Sequence, residues 1–174
     1  MIKNHLFIGS MLFAFSSTVS ASGYFGLGFG STDYDADDLS TFDDPTGIEL
    51  YFGNKLSEGL GYEISYVDFG EASDGIPPEW HLDASSIGFS VLGIAQVGTD
   101  SEVFAKIGLH TWEAELREDG FGLLAEGDGT DILYGLGFRS NISGNFAIGV
   151  RYTVYDADGD DLTRLTVNGE ILFD

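Results

Sequence analysis

The sequence predicts an all-β chain: an eight-stranded antiparallel up-and-down transmembrane β-barrel, preceded by a cleavable signal peptide. Three observations carry that expectation. Eight segments alternate oily with polar or small residues at the period of two that a strand imposes. Their connections sort by length, with short turns at one end of the array and mostly long acidic links at the other, as in bacterial outer-membrane barrels. Finally, charged residues within the segments share their face with glycine and small polar residues, opposite an oily face.

The N-terminus comes first. Lys3 and His5 precede the apolar run LFIGSMLFAF (6–15), and SSTVSA follows, ending in Val19-Ser20-Ala21. A basic start, a short apolar run and a small-x-small site read as a secretory signal peptide over 1–21, leaving a barrel domain over 22–174. The run is about half the ~20 residues that a spanning helix needs. A formal charge of −22 argues against nucleic acid and against direct binding to anionic lipid headgroups. No cysteine is present, which excludes disulfides and cysteine-based metal sites. Twenty-five glycines, three prolines and 14% aromatic residues favour strands and turns.

In chain order the segments are GYFGLGFG (23–30), TGIELYFG (46–53), LGYEISYVDF (60–69), ASSIGFSVLGIAQV (84–97), EVFAKIGLHTWE (102–113), DILYGLGF (131–138), NFAIGVRYTVY (145–155) and LTRLTVNGEILF (162–173). In the second, Ile48, Leu50 and Phe52 oppose Glu49; in the third, Tyr62, Ile64 and Tyr66 oppose Glu63. Lys106 shares parity with Gly108 and His110, and Arg139 with Gly135 and Gly137. In the seventh, Phe146, Ile148, Val150, Tyr152 and Val154 form a face directed at lipid, opposite Arg151. The eighth sets Leu165, Val167 and Ile171 against Arg164 and Glu170. No stretch between segments has a period of 3.6, and a short helical turn in FGLLAEG (121–127) is the only helical expectation.

NKLSEG, GTDS and RSNISG have the residues of hairpin turns. STDYDADDLSTFDDP, GEASDGIPPEWHLD and AELREDGFGLLAEGDGT are long and acidic, whereas DADGDD is acidic but short. A narrow lumen needs small residues, and its buried charges need opposite partners. A lumen plugged by Glu49, Glu63 and Glu170 with Lys106, Arg151 and Arg164 is therefore expected. Phe52, Phe138 and Phe146 beside the short turns, with Phe29 and Tyr66 near the long links, fit two interfacial aromatic belts.

The ordered set Gly61-Tyr62-Glu63 with Tyr66, Lys106-Ile107-Gly108 with Trp112, Tyr134-Gly135-Leu136-Gly137 and Asn145-Phe146-Ala147 resembles the OmpA-like transmembrane-domain family. The resemblance implies an outer-membrane barrel with Glu49, Glu63, Lys106 and Arg151 paired inside. It also implies outer-membrane lipid, lipopolysaccharide and the barrel-insertion machinery as partners. Two departures stand out. Members commonly finish on an aromatic residue, whereas Phe173 is followed here by Asp174, and no peptidoglycan-binding domain follows, so tethering to the cell wall is not implied.

Asp156, Asp158, Asp160 and Asp161 in DADGDD, and the carboxylates of DYDADD (33–38), are weak candidates for divalent cations, since hard cations prefer clustered carboxylates. An EF-hand loop is absent: counted from Asp156, the sixth position is not glycine and the twelfth is Val167. Solvated acidic loops, with Mg²⁺ or Ca²⁺ bridging to lipopolysaccharide, are the expectation. Beyond residue 21 the histidines are His81, in a link, and His110, on a strand; no GxSxG elbow or phosphate loop occurs. The expected protein is a non-enzymatic, cofactor-free, monomeric surface protein of the outer membrane. A narrow pore for ions or small solutes is the alternative, and a soluble periplasmic barrel holding an apolar ligand is a further one.

Overall fold

Eight alternating strands pair in chain order and the sheet closes on itself. The computed structural model describes residues 23–35 and 43–173; the expected signal peptide, part of the first acidic link and Asp174 lie outside the described residues. The strands are β1 (Gly23–Asp35), β2 (Thr46–Ser57), β3 (Leu60–Ser73), β4 (Trp80–Gln96), β5 (Ser101–Glu118), β6 (Gly122–Ser143), β7 (Phe146–Ala157) and β8 (Asp160–Phe173). Each pairs antiparallel with the next, and β1 returns to β8 from Gly23↔Phe173 to Asp35↔Asp161. Closure removes the open sheet edges that would otherwise need covering in lipid.

The packing is that of a soluble core turned inside out. Phe29, Phe52, Ile87, Leu109, Leu136 and Val167 are among the large apolar side chains left exposed on the outer wall. Glu49, Glu63, Lys106, Arg151, Arg164 and Glu170 are all buried inside. In water that outer wall would be a continuous apolar patch; against acyl chains it is the favoured surface. Phe29, Phe52, Tyr66, Phe138 and Phe146 all stand on it. Val154 departs from its parity: it is buried, at the point where β6–β7 pairing ends with Leu133↔Tyr155 and β6 leaves the wall.

Two of the long acidic links are mostly strand. The β3–β4 ladder runs on to Ser73↔His81, β4–β5 to Trp80↔Glu118 and β5–β6 to Glu118↔Gly122. What remains are links 74–79 and 119–121, so β3 to β6 continue past the wall as a four-stranded sheet. The FGLLAEG stretch is part of β6 rather than a helical turn. DADGDD is a hairpin whose two central residues, Asp158 and Gly159, both have positive φ (59° and 96°), as the tightest hairpin turns require.

Inside the wall, aromatic rings lie over glycines on the neighbouring strand. Tyr24 faces Gly53, Tyr51 faces Gly26, and Phe104 faces Gly137. A Cβ on Gly26 would fall 1.9 Å from the Tyr51 ring, and one on Gly137 would fall 2.2 Å from the Phe104 ring. The small residues are therefore there to admit rings that would not otherwise fit a bore of eight strands.

Candidate functional site

Because inward positions recur every second residue, each strand delivers its polar side chains to the bore at fixed heights. Register then decides which of them meet. Arg151 on β7 is the centre: its Nη1 donates to both Glu63 oxygens at 2.9 and 3.0 Å, and its Nη2 to Glu170 Oε1 at 3.0 Å. Glu49 Oε1 lies 3.8 Å from the same guanidinium, and Lys106 Nζ bridges Glu49 and Glu63 at 3.6 and 3.7 Å. Tyr51 donates to Glu170 at 2.9 Å and Tyr24 to Glu63 at 3.2 Å. The Arg151 guanidinium also stacks 3.5 Å from the Tyr51 ring centroid.

The chain of ions continues toward the short turns. Arg139 Nη1 donates to Glu170 at 3.2 Å and Arg139 Nε to Glu102 at 2.7 Å, while Lys55 and Gln96 close on Glu102 from the mouth. Lys55, Glu102, Arg139, Glu170, Arg151, Glu63, Lys106 and Glu49 thus form one column of alternating sign. Four cations meet four anions, the balance that buried ions require.

Of the expected network, Glu49, Glu63, Glu170, Lys106 and Arg151 come together. Arg164 does not join them. It is buried in the bore but donates to Thr32 Oγ1 at 2.9 Å, and no carboxylate among the described residues lies within 4.0 Å of it. The reason is depth: Arg164 is opposite Thr32 on β1, and Glu170 lies three inward positions further down β8, about 20 Å along a strand. Arg139 and Glu102 take the place expected for Arg164. They face each other across β5 and β6. Arg139 has the inward parity in the sequence, while Glu102, the first residue of the fifth segment beside GTDS, is not among the residues expected in the network.

Above the column the bore holds an apolar cluster beside Arg164. Val67, Phe69, Leu133 and Tyr155 form a buried cluster, with the Phe69 and Tyr155 rings edge-on at 5.1 Å. His110 sits beside it. Its Nε2–H donates to the Asp156 carbonyl at 2.8 Å, so its Nδ1 accepts from Ser86 Oγ at 3.1 Å. Both histidine nitrogens are spent on structural partners.

At the outer end, the carboxylates of Asp156, Asp158, Asp160 and Asp161 do not converge as a set of metal donors. Asp156 instead accepts from Gly159 N at 3.1 Å and caps its own turn. The Asp74 carboxylate accepts from the Trp80 and Ile76 backbone N–H groups, each at 3.1 Å, which hold its pKa below the usual aspartate range. Arg117 pairs with Glu115 and with Asp83 at 3.4 Å.

Comparison with known proteins agrees with this architecture. The family described as outer membrane protein beta-barrel domain matches residues 6–169. OprG from Pseudomonas aeruginosa superposes with a TM-score of 0.68 at 13% identity, over 88% of this chain and 96% of that one. Ail of Yersinia pestis, solved with the heparin analogue sucrose octasulfate, gives 0.61 at 15% identity over 88% and 97%. The N-terminal barrel of Pseudomonas aeruginosa OprF gives 0.59 at 14% over 87% and 97%. No curated protein sequence matches the chain.

Proposed function

Since the chain belongs to the outer membrane protein β-barrel family and lies in the outer membrane, we propose that it works there as a closed, non-enzymatic surface protein rather than as a pore. The observation that carries this reading is the eight-residue ionic column, backed by the Val67–Phe69–Leu133–Tyr155 cluster. Solute passage would require parting buried ion pairs, which leaves charges uncompensated in a low-dielectric bore. Reconstituted in planar bilayers, the protein is expected to show no large stable conductance. Steady open channels in the wild type would overturn the reading.

Its outward work then falls to the sheet formed by β3 to β6. That sheet presents Glu71, Glu113, Glu115, Glu118 and Glu126 with Arg117 as its one arginine. Polysulfated ligands of the kind seen with Ail would meet repulsion here; divalent cations and basic partners would be drawn in. Millimolar Mg²⁺ is expected to raise the urea midpoint of the folded protein in detergent, through bridging among the acidic side chains of this sheet. Equal midpoints in Mg²⁺ and in chelator would remove the cation part of the proposal.

A further inference from the structure

Outside the bore, a second group of ionisable side chains converges where two hairpin tips meet. Glu79 ends the β3–β4 link, His81 lies at the start of β4, and Asp119 lies in the turn between β5 and β6. Trp80 pairs with Glu118, and Asp119 N donates to the Glu79 carbonyl at 3.0 Å, so the two tips are tied through their backbones. His81 Nε2 is 3.7 Å from Asp119 Oδ1 and 4.0 Å from Glu79 Oε2, and one donor atom from each residue lies within 4.8 Å of both others. On the far side of the ring, Nδ1 is 3.2 Å from Glu71 Oε1.

We propose that Glu79, His81 and Asp119 bind a first-row divalent transition ion, with Zn²⁺ as the representative, and that Glu71 orients the imidazole for it. Glu71 accepting a hydrogen bond from Nδ1–H leaves the Nε2 lone pair directed at the two carboxylates. This carboxylate–histidine–metal arrangement fixes the ligand tautomer in known metal sites. Bond lengths of about 2.0–2.2 Å put tetrahedral donors about 3.3 Å apart, so His81 needs to close on the two carboxylates by well under an ångström, and the carboxylates, within 4.8 Å of each other, by at most about 1.5 Å. Glu79 and Asp119 have the exposure to make that adjustment. An imidazole among carboxylates favours Zn²⁺, Cu²⁺ or Ni²⁺ over Mg²⁺ and Ca²⁺, which take oxygen alone. The nearest arginine does not supply the missing charge, since Arg117 is held by Asp83 and Glu115. Three protein ligands leave a position for water or for a group from outside. These residues are separate from Asp156–Asp161, and the site does not depend on whether the bore is closed.

The test is a Zn²⁺ titration of the full-length folded protein in detergent against a metal-sensitive chromophore, with Mg²⁺ present in millimolar excess. One Zn²⁺ per chain is expected to bind. Glu71→Gln is expected to weaken it about 10–100-fold, and His81→Ala to weaken it further, while Asp158→Asn leaves it unchanged. X-ray absorption of the loaded protein is expected to show a single imidazole ligand. Heat-modifiable gel migration checks that each variant is folded, and Glu79→Gln with Asp119→Asn replaces His81→Ala if that variant is not. Wild-type Zn²⁺ affinity in the folded ligand variants, or complete displacement of Zn²⁺ by Mg²⁺, would overturn the site.

Discussion

Arg151→Ala is expected to lower the stability of the folded barrel by about 3–5 kcal/mol, the usual cost of removing one partner from a buried ion pair. The guanidinium touches three carboxylates, Glu49, Glu63 and Glu170, and stacks on Tyr51. Without it, Lys106 and Arg139 are the only cations among the described residues left within 4.0 Å of those three carboxylates. A urea titration followed by heat-modifiable gel migration reads the loss directly. Glu63→Gln added to Arg151→Ala is expected to restore part of it, because it removes the charge left unmatched. Arg164→Met sets the contrast. Arg164 has no carboxylate within 4.0 Å among the described residues, so an apolar replacement is expected to be close to neutral. Equal destabilisation by Arg151→Ala and Arg164→Met would show that charge pairing is not what holds the bore.

One residue earlier, the same kind of side chain should be intolerable for the opposite reason. Val150 lies between Ile148 and Tyr152 on the outer face of β7 and is opposite Phe138 and Val167 in register. Val150→Arg is expected to cost about 2–4 kcal/mol if Val150 lies near the bilayer midplane, and to deplete the folded, heat-modifiable form from the outer-membrane fraction. The pair of positions separates two architectures. A soluble barrel would bury Val150 and expose Arg151, reversing both effects. Normal assembly of Val150→Arg would mean that the oily face does not meet lipid.

The alternation within the chain made the wall legible. Glu49, Glu63, Lys106 and Arg151 sit on small-residue faces, and a side-chain period of two leaves little freedom about which face turns inward. Parity gives the face but not the height. Arg164 has the inward parity yet sits above the carboxylates, because height depends on register with β1 and β7, which no single segment encodes. Glu102 shows the complementary failure: next to a turn, a carboxylate is ordinarily solvated, and only its opposition to Arg139 makes it part of the column. The outer sheet was hidden for another reason. Its strands are rich in Gly, Asp and Glu, which disfavour strands locally, so pairing with the neighbour, rather than propensity, extends them. The convergence of His81 with Asp119 exists only because of that extension.

The order in which the column visits the strands has a consequence for assembly. From Lys55 to Glu49 it passes through β2, β5, β6, β8, β7, β3, β5 and again β2. Arg151 meets Glu63 across 88 residues and Tyr51 meets Glu170 across 119. A partly built barrel that lacks β8 leaves Arg139 and Arg151 without Glu170, so intermediates carry uncompensated charge into a poor solvent for it. Such long-range dependence slows folding and makes closure close to all-or-none. The last strand to arrive completes the electrostatics of the first ones.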